Sequence, residues 1–503
     1  MPNSIAFLVL ALWPLVMLVL FKRLPVGRAL IWSFLGGYLL LPPHPTAFDF
    51  PLMPPLNKLT LPNMMAVIYV IFVANEKIEF WPRSGLGKTL MATFILSPIF
   101  TVLNNPEPVL FATGGLRGLY ARDIIALVIN QAILLSGFIL ARQFLRSQDD
   151  LRDLLLALVV AGLFYSFPIL LEVRLSPQLN IWIYGYFQHV FEQTMRGGGF
   201  RALVFLEHGI WASMLIMMSL ASAIILWRAD IGKSRSWFMI AAVFLAGVLV
   251  LNKTLGPLVY AIFLISLVVL TSWKLQTRVA VLLAALALAY PLAKGANLVP
   301  EERILQVASA VSEERSFSLK FRFDNENLLY ERAIEKPLFG WGSWGRNQLH
   351  DPITGTSLAV TDGRWIIAVG MFGWVGFLAE FGLLALPIFM FARASSQNEK
   401  GIKKQWKSEI HASIPVQKEQ KERVIEHVVT PIGGGLALLL SLNLIDLLPN
   451  ATLTPITWLL AGALLGYSES LRETSKDIGI KRKKSVLDAP NRVHVSARTR
   501  TIL

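Results

Sequence analysis

Residues 209–227 read GIWASMLIMMSLASAIILW, a run of nineteen residues that contains no charge. A helix of that length rises about 30 Å, which is the thickness of the hydrocarbon core of a bilayer. The sequence therefore predicts an all-α integral membrane protein of about thirteen transmembrane helices. The other twelve apolar runs lie at 4–21, 26–41, 60–74, 88–103, 123–141, 151–171, 237–252, 257–273, 278–293, 365–391, 424–447 and 455–468.

The composition agrees with this class. Only 16% of the 503 residues are charged, 54% are hydrophobic and the mean hydropathy is +0.55, whereas soluble domains have about 25% charged residues. The chain has no cysteine, which excludes disulfides, thiolate nucleophiles and cysteine-based metal sites. The net charge of +14 is concentrated in blocks such as 400–407 and 481–484. These blocks fit topology determinants and anionic-lipid contacts rather than a nucleic-acid site.

The distribution of charge predicts the orientation of the helices. With the N-terminus outside, the segments assigned to the cytoplasm hold 31 of the 47 Lys and Arg residues, in accordance with the positive-inside rule. The tail from about 470 onward is expected to be disordered. This orientation predicts a membrane domain of about ten helices over 1–293 with a polar outer loop at 172–208, a large outer loop at 294–364, further helices over 365–468 and a basic cytoplasmic tail at 469–503.

The outer loop 294–364 is the one long polar interruption of the apolar pattern, and we expect the chemistry of the protein there. Its apolar residues repeat with helical spacing over 301–315, which is typical of an amphipathic helix at a membrane surface. A second helix is predicted to begin near Asp324, a favoured N-cap residue, and to end before Pro337. The sequence PLFGWG at 337–342 then predicts a tight turn back towards the membrane.

Two arginines flank three glycines just before the span 209–227, in the sequence Arg196-Gly-Gly-Gly-Phe-Arg201. Glycine permits close approach of the backbone, and guanidinium groups bind phosphate oxygens in a bidentate manner. The segment therefore predicts a diphosphate site at the outer membrane surface. The alternative is a flexible turn whose arginines extend to lipid headgroups.

Three side chains are candidates for acid–base chemistry. Glu207, beside His208, begins a span where ionisable groups are costly; the alternative is a polar pair facing headgroup water. Asp362 lies where the large loop meets a span, so partial burial would raise its pKa and suit it to act as a base; the alternative is a helix N-cap. His350, beside Asp351, is either a proton acceptor or an exposed loop residue. The outer histidines lack metal-ligand spacing such as HExxH, so no metal is predicted.

The order of these motifs resembles the superfamily of O-antigen ligases and Wzy-type polysaccharide polymerases of bacterial inner membranes. Arg196-Gly-Gly-Gly-Phe precedes a central span, Arg322 lies in the large loop, Glu335-Lys-Pro-Leu-Phe-Gly-Trp-Gly follows, and Thr361-Asp-Gly-Arg-Trp leads into a glycine-rich helix. The resemblance covers about 190–390 directly. It implies a GT-C-like architecture with a periplasmic N-terminus, a cytoplasmic C-terminus and glycosyl transfer without a metal or other cofactor.

The resemblance also implies roles for particular residues. Family members place one arginine before the central span and another in the large loop, beside the lipid diphosphate, and these match Arg196 and Arg322. Arg201 and Arg364 are further candidates for binding the diphosphate. The sugar-binding candidates are Trp341 and Trp344.

The activity implied is transfer from an undecaprenyl-diphosphate-linked glycan at the periplasmic face. Ligases carry a histidine just ahead of the helix after the large loop, whereas this sequence has Asp362 there, which favours a polymerase of O-antigen or exopolysaccharide repeat units. The alternatives are a ligase that transfers glycan to lipid A core or another acceptor, and a transporter of polysaccharide or lipid-linked glycan. Expected partners are the lipid-linked glycan, membrane lipid, and a chain-length regulator or other polysaccharide-assembly proteins, with no nucleic acid.

Overall fold

The structure, a computed structural model, describes residues 1–196, 198–230, 232, 234–410 and 431–487, and within them it is helical almost throughout. Two short antiparallel hairpins join Val109–Phe111 (β1) to Gly114–Leu116 (β2) and Met195–Arg196 (β3) to Gly199–Phe200 (β4). The helices are α1 Ser4–Arg23, α2 Val26–Leu40, α3 Thr60–Phe72, α4 Gly85–Leu103, α5 Ala121–Phe144, α6 Gln148–Leu175, α7 Leu179–Tyr184, α8 Gly209–Ala229, α9 Ser234–Leu251, α10 Leu255–Leu270, α11 Trp273–Gly295, α12 Glu301–Val311, α13 Glu313–Ile334, α14 Arg364–Ile410, α15 Pro431–Asp446 and α16 Pro455–Leu487.

Eight helices in the described part of the chain are long and apolar enough to cross a membrane: α1, α4, α5, α6, α8, α9, α11 and α14. Four shorter apolar helices, α2, α3, α10 and α15, accompany them. The all-α, membrane-embedded class predicted from the sequence is confirmed. The count of thirteen spans stays a prediction.

Helix α8, which contains the run 209–227, lies at the centre of the bundle. Of its apolar stretch, 89% of the residues are buried, against 28% for the peripheral helix α1. It packs against α6, α9 and α10. Small residues along it, such as Ser219 beside Gly162 of α6, allow the close backbone approach that stabilises helix pairs in membranes. The segment that precedes α8 is therefore attached to the most buried of the eight long apolar helices.

The large loop contains two helices whose bounds differ from the prediction. The amphipathic helix over 301–315 is shorter and ends at Val311 as α12. Asp324 is not the N-cap of the second helix, because α13 begins at Glu313 and includes it. The Asp324 side chain instead forms an i,i+4 ion pair with Lys320, at 2.8 Å, which supports an uninterrupted helix. The predicted end before Pro337 is confirmed, since α13 ends at Ile334.

Helix α14 is broken at Gly373, whose φ of 67° and ψ of −170° are not helical. The turn 337–342 fills the break, because the N–H groups of Trp341 and Gly342 donate to the carbonyls of Gly370 and Met371, at 2.8 and 2.9 Å. The N–H of Trp374 in turn donates to the carbonyl of Pro337, at 2.8 Å. A Cβ at position 373 would lie 2.2 Å from the backbone of Leu338, so only glycine fits. The segment 337–342 thus turns back towards the helices as predicted, and it occupies a break that interrupts the predicted span 365–391.

The opposite end of the bundle, the basic end, is held by ion pairs. Arg142 of α5 donates to Glu469 of α16 at 3.0 Å, with both side chains buried, and Arg146 pairs with Glu473 at 2.9 Å. The expectation of disorder from about 470 is wrong for 471–487, because α16 continues to Leu487. Residues 411–430, which include the start of the predicted span 424–447, and residues 488–503 of the predicted basic tail lie outside the described residues.

Candidate functional site

The candidate site lies at the end of the bundle that carries the large loop, which we call the loop end. Arg322 of α13 points to the turn between α15 and α16. Its Nη1 donates to the carbonyl of Pro449 at 3.2 Å and to Oδ1 of Asn450 at 3.1 Å. Asp446 holds this turn in place, since its carboxylate accepts from Asn450 Nδ2 at 2.8 Å and from Thr452 Oγ1 at 2.6 Å. Asn450, which Asp446 holds in place, therefore fixes the position of Arg322 at the loop end.

Asp362 is the carboxyl group that faces Arg322. Its Oδ2 lies 3.8 Å from Arg322 Nε, at the outer limit of an ion pair. Burial raises the pKa of Asp362 above its ordinary 3.8, and the positive charge of Arg322 opposes that rise only in part. A carboxyl with a raised pKa, held loosely beside a cation, is a better proton acceptor than an ordinary aspartate.

Arg201 follows the hairpin β3–β4 and is 6% exposed. Its Nη2 donates to the carbonyl of Gln193, at 3.1 Å, and contacts Nε2 of His208, at 3.2 Å. Burial, followed by the positive charges of Arg196 and Arg322, lowers the pKa of Arg201 to about 10. We call Arg196, Arg201 and Arg322 the arginine cluster. Arg196 and Arg322, which come from two separate segments of the chain, both lie close enough to Arg201 to lower its pKa.

Two histidines border the arginine cluster. His208 is the N-cap of α8, and its Nδ1 accepts from the N–H of Ile210 at 3.0 Å. The ring of His189 lies 4.6 Å from that of His208. Burial and the nearby charges, Arg201 first, lower the pKa of His208 to about 2, so its ring is neutral.

A neutral imidazole has one acceptor nitrogen, yet donors lie at both nitrogens of His208. One N–H bond, of Ile210 or of the Arg201 Nη2 that also donates to Gln193, therefore lacks an acceptor here. Arg201 Nε is likewise buried without a hydrogen-bond partner in the part of the chain that the structure describes. An anion with several oxygen atoms would supply the missing acceptors.

A cavity of about 460 Å³ adjoins Arg322 and Asp362. Its other walls are mostly apolar and include Phe323, Leu329 and Ile366. A cavity with a charged end and apolar walls fits a ligand in which a charged group is joined to hydrocarbon. Within the described ranges, no group of three or more His, Asp or Glu side chains converges to hold a metal ion.

Arg364, a predicted diphosphate ligand, is already paired. Its Nε and Nη2 donate to the two carboxylate oxygens of Glu380, at 2.6 and 2.5 Å. In a straight helix these residues would be about 24 Å apart along the axis, so the break at Gly373 brings them together. Glu380, whose side chain is 2% exposed, already occupies the Arg364 guanidinium, and the binding of diphosphate by Arg364 stays a prediction.

The two predicted sugar-binding tryptophans differ. Trp341 is buried, donates through Nε1 to the carbonyl of Arg332 at 2.8 Å, and has the guanidinium of Arg332 3.4 Å from its ring centre. Lys336 also lies over that ring, at 4.4 Å, so Trp341 packs within the loop instead of presenting a face to a sugar. Trp344 is 52% exposed and remains a candidate.

The two remaining acid–base candidates have other contacts. His350 has its ring nitrogens 3.1 Å from the carbonyl of Gly355 and 2.8 Å from that of Gly345, and its ring packs on Phe111. These contacts give it a role in holding the loop, separate from the surroundings of Arg322. Glu207 accepts from the N–H of His44 at 3.0 Å and so closes the loop between α2 and α3.

The sequence reasoning did not include Asn450 or His189 among the site residues. Asn450 follows Leu-Leu-Pro in an outer turn of only a few residues, where an amide could have been noticed. No family model matches this chain, and no curated protein matches it either. The argument for its function therefore depends on the site.

Proposed function

We propose that this chain is a glycosyltransferase of the bacterial inner membrane that uses a lipid-diphosphate-linked glycan as donor and joins repeat units into a polymer. The observation that carries the proposal is a cavity lined by Arg322 and Asp362, with Arg322 and Arg196 both close enough to the buried Arg201 to lower its pKa. A diphosphate is the anion that such a cluster suits, because its oxygens are numerous and closely spaced.

In the proposed reaction, a hydroxyl oxygen of the acceptor sugar attacks the anomeric carbon of the donor. The bond between that carbon and the diphosphate oxygen breaks, and its electron pair remains on the leaving diphosphate. Asp362 accepts the proton that the hydroxyl loses. The arginine cluster stabilises the charge that develops on the leaving oxygens, which is the term with the largest effect in reactions of this kind.

The apolar walls of the cavity support a lipid carrier in this role. Phe323, Leu329 and Ile366 would contact the first isoprenoid units while Arg322 holds the diphosphate. A soluble nucleotide-sugar donor would leave this apolar surface without a partner. The proposed site thus matches both parts of an amphiphilic donor.

The test is turnover of defined lipid-linked oligosaccharides by the purified protein in nanodiscs, without any gradient. We expect polymer with the wild type, and loss of product with Arg322→Ala and Asp362→Asn. Lys320→Ala is the matched control, because Lys320 is an exposed residue of the same helix, paired with Asp324. Inactivity of the folded wild type, or full activity of both variants, would refute the proposal.

A deletion strain separates the polymerase from its alternatives. Loss of a polymerase leaves single repeat units on the lipid carrier at the periplasmic face. Loss of a ligase leaves long polymer on that carrier, and loss of a transporter leaves the lipid-linked units in the inner leaflet. Either of the last two results would contradict the proposed reaction.

A further inference from the structure

A second cavity, of about 710 Å³, lies at the loop end between the end of α11, the first turn of α12 and the second half of α13. We call it the polar cleft. Its walls carry amides, carboxylates and one tyrosine, and the members used below are Lys294, Asn297, Glu302, Asn327, Tyr330 and Glu331. None of these residues has a part in the reaction proposed above.

One salt bridge separates the polar cleft from the apolar cavity. Lys294 is 5% exposed and pairs with Glu326 at 3.3 Å and with Glu301. Glu326 lines the apolar cavity, whereas Lys294 and Glu301 line the polar cleft. The two cavities are therefore neighbours on opposite sides of a fixed pair of charges.

Helix α13 connects the two cavities along one face. Arg322, Glu326 and Tyr330 are spaced four residues apart, so they lie on the same side of the helix. Arg322 and Tyr330 are about 12 Å apart along its axis. The polar cleft is therefore within the reach of a short oligosaccharide attached to a diphosphate at Arg322.

The chemistry of the polar cleft differs from that of the arginine cluster. Three glutamates, Glu301, Glu302 and Glu331, outnumber its two cations, Lys294 and Arg303, so an anion is not favoured. Carboxylates and amides bind hydroxyl groups through several hydrogen bonds at once. Tyr330 adds an aromatic surface against which a sugar ring can pack.

We infer that the polar cleft between α11, α12 and α13 binds the sugars of the lipid-linked donor that lie beyond the reacting unit, and that these sugars are uncharged and rich in hydroxyl groups. This inference rests on the proposed function, and it names the substrate class of the same site. It makes Asn327 and Glu331 residues that determine specificity for the length and charge of the glycan.

The experiment compares two donors on the same purified protein. One donor carries a full neutral repeat unit on the lipid diphosphate, and the other carries a single sugar. For Asn327→Ala and Glu331→Gln, we expect the KM for the long donor to rise about tenfold, as the loss of one or two hydrogen bonds predicts. We expect kcat, and the KM for the single-sugar donor, to stay unchanged. Lys320 lies outside the polar cleft, so Lys320→Ala should leave kcat and both KM values unchanged.

Equal changes with both donors, or no change with either, would overturn the inference. A second measurement does not need turnover. Binding of the free oligosaccharide, released by mild acid from the lipid carrier of the deletion strain, is followed by thermophoresis. We expect wild-type binding and its loss in Asn327→Ala; absence of wild-type binding also overturns the inference. Because this arm is independent of catalysis, its result is distinguishable from failure of the proposed function.

Discussion

Two buried arginines at opposite ends of the bundle have opposite surroundings. Arg142, at the basic end, donates to the carboxylate of Glu469 at 3.0 Å and to the carbonyl of Glu79. Arg201, at the loop end, donates to the carbonyl of Gln193 and contacts His208, and no carboxylate pairs with it in the part of the chain that the structure describes. A carboxylate of the protein balances the charge of Arg142, whereas none among the described residues balances the charge of Arg201.

This difference indicates what each charge is for. A buried charge without a partner destabilises a protein by several kcal/mol, so a fold that retains one has a reason other than stability. Perturbed ionisable groups gathered in a cleft are characteristic of functional sites. The ion pairs at the basic end therefore stabilise the fold, whereas the unbalanced charge at the loop end agrees with the proposed binding of an external anion.

The largest expected effect comes from exchanging a carboxyl at each end. Asp362→Asn should lower the rate by about 10²–10⁴-fold, the usual contribution of a general base, and leave the melting temperature intact. Glu469→Gln should instead lower the melting temperature, since Arg142 would remain buried and unpaired. Turnover and thermal melting of both variants check this. Loss of activity in both with equal loss of stability would remove the distinction between the two ends.

The pH profile sharpens the same comparison. Asp362 must be deprotonated to accept a proton, so wild-type activity should fall as the pH drops through its raised pKa, above the ordinary 3.8. The contribution of Asp362 to the stability of the fold changes with pH in the direction opposite to the activity. Because the fold favours the protonated carboxyl, Asp362 contributes more stability below its folded pKa than above it. The residual activity of Asp362→Asn should lack this acidic limb.

The second test exchanges the two arginines for glutamine. Arg201→Gln should cost about 2.7–4 kcal/mol of transition-state stabilisation, or 10²–10³-fold in kcat, and should raise the melting temperature, because it removes a buried charge that no carboxylate among the described residues balances. Arg142→Gln should cost about 3–5 kcal/mol of folding free energy, because Glu469 loses its partner, while kcat of the folded fraction is retained. Rates per folded molecule, with folding followed by circular dichroism, distinguish these outcomes. A reversed pattern would show that Arg201 is the structural residue.

Ligand-dependent melting gives a smaller effect. Inorganic pyrophosphate should stabilise the wild type, by about 2.7 kcal/mol at one hundred times its Kd, because it supplies an acceptor for Arg201 Nε, which is buried without a partner among the described residues. The shift should vanish in Arg201→Gln and persist in Lys320→Ala. Sulfate at equal ionic strength controls for general salt effects. An identical shift in Arg201→Gln would exclude the cluster as the binding site.

The smallest effect concerns the turn that positions Arg322. Asn450→Ala removes the acceptor at 3.1 Å from Arg322 Nη1 and should weaken donor use by about 1 kcal/mol, the net value of one hydrogen bond. Asn450→Gln keeps both the acceptor for Arg322 and the donor to Asp446 and should recover much of the rate. The measurement is kcat/KM with the lipid-linked donor. A loss in Asn450→Gln as large as in Asn450→Ala would show that the hydrogen bond is irrelevant.

Much of the fold follows from local sequence. Apolar runs without charge predict membrane helices, and Pro337 predicts the end of α13, because both effects act within a few residues. The nearness of Arg196 and Arg322 to Arg201 agrees with the charge pattern, which assigns their segments to one side. The prediction that Asp324 caps the second helix is wrong, because an aspartate is also accepted inside a helix when an i,i+4 partner such as Lys320 is available.

Other features depend on contacts between distant segments. Glu380 lies sixteen residues beyond Arg364, a separation that a straight helix makes too long for an ion pair. The break at Gly373, which brings the two together, is stabilised by backbone groups of the turn 337–342, more than thirty residues earlier in the chain. The covering of Trp341 by Arg332 and Lys336 has a similar origin in how the loop closes. Composition and periodicity carry no information about these pairings.

The broken helix has a consequence for biogenesis. Exposed backbone N–H and C=O groups are costly within lipid, and those around Gly373 find partners in the turn 337–342. In the orientation predicted from the charges, that turn must therefore cross the membrane before α14 can attain its final form. Export of the hydrophilic segment and integration of the following span are thereby coupled. A ribosome-bound intermediate halted before the turn has crossed should hold α14 in a protease-sensitive, unsettled state.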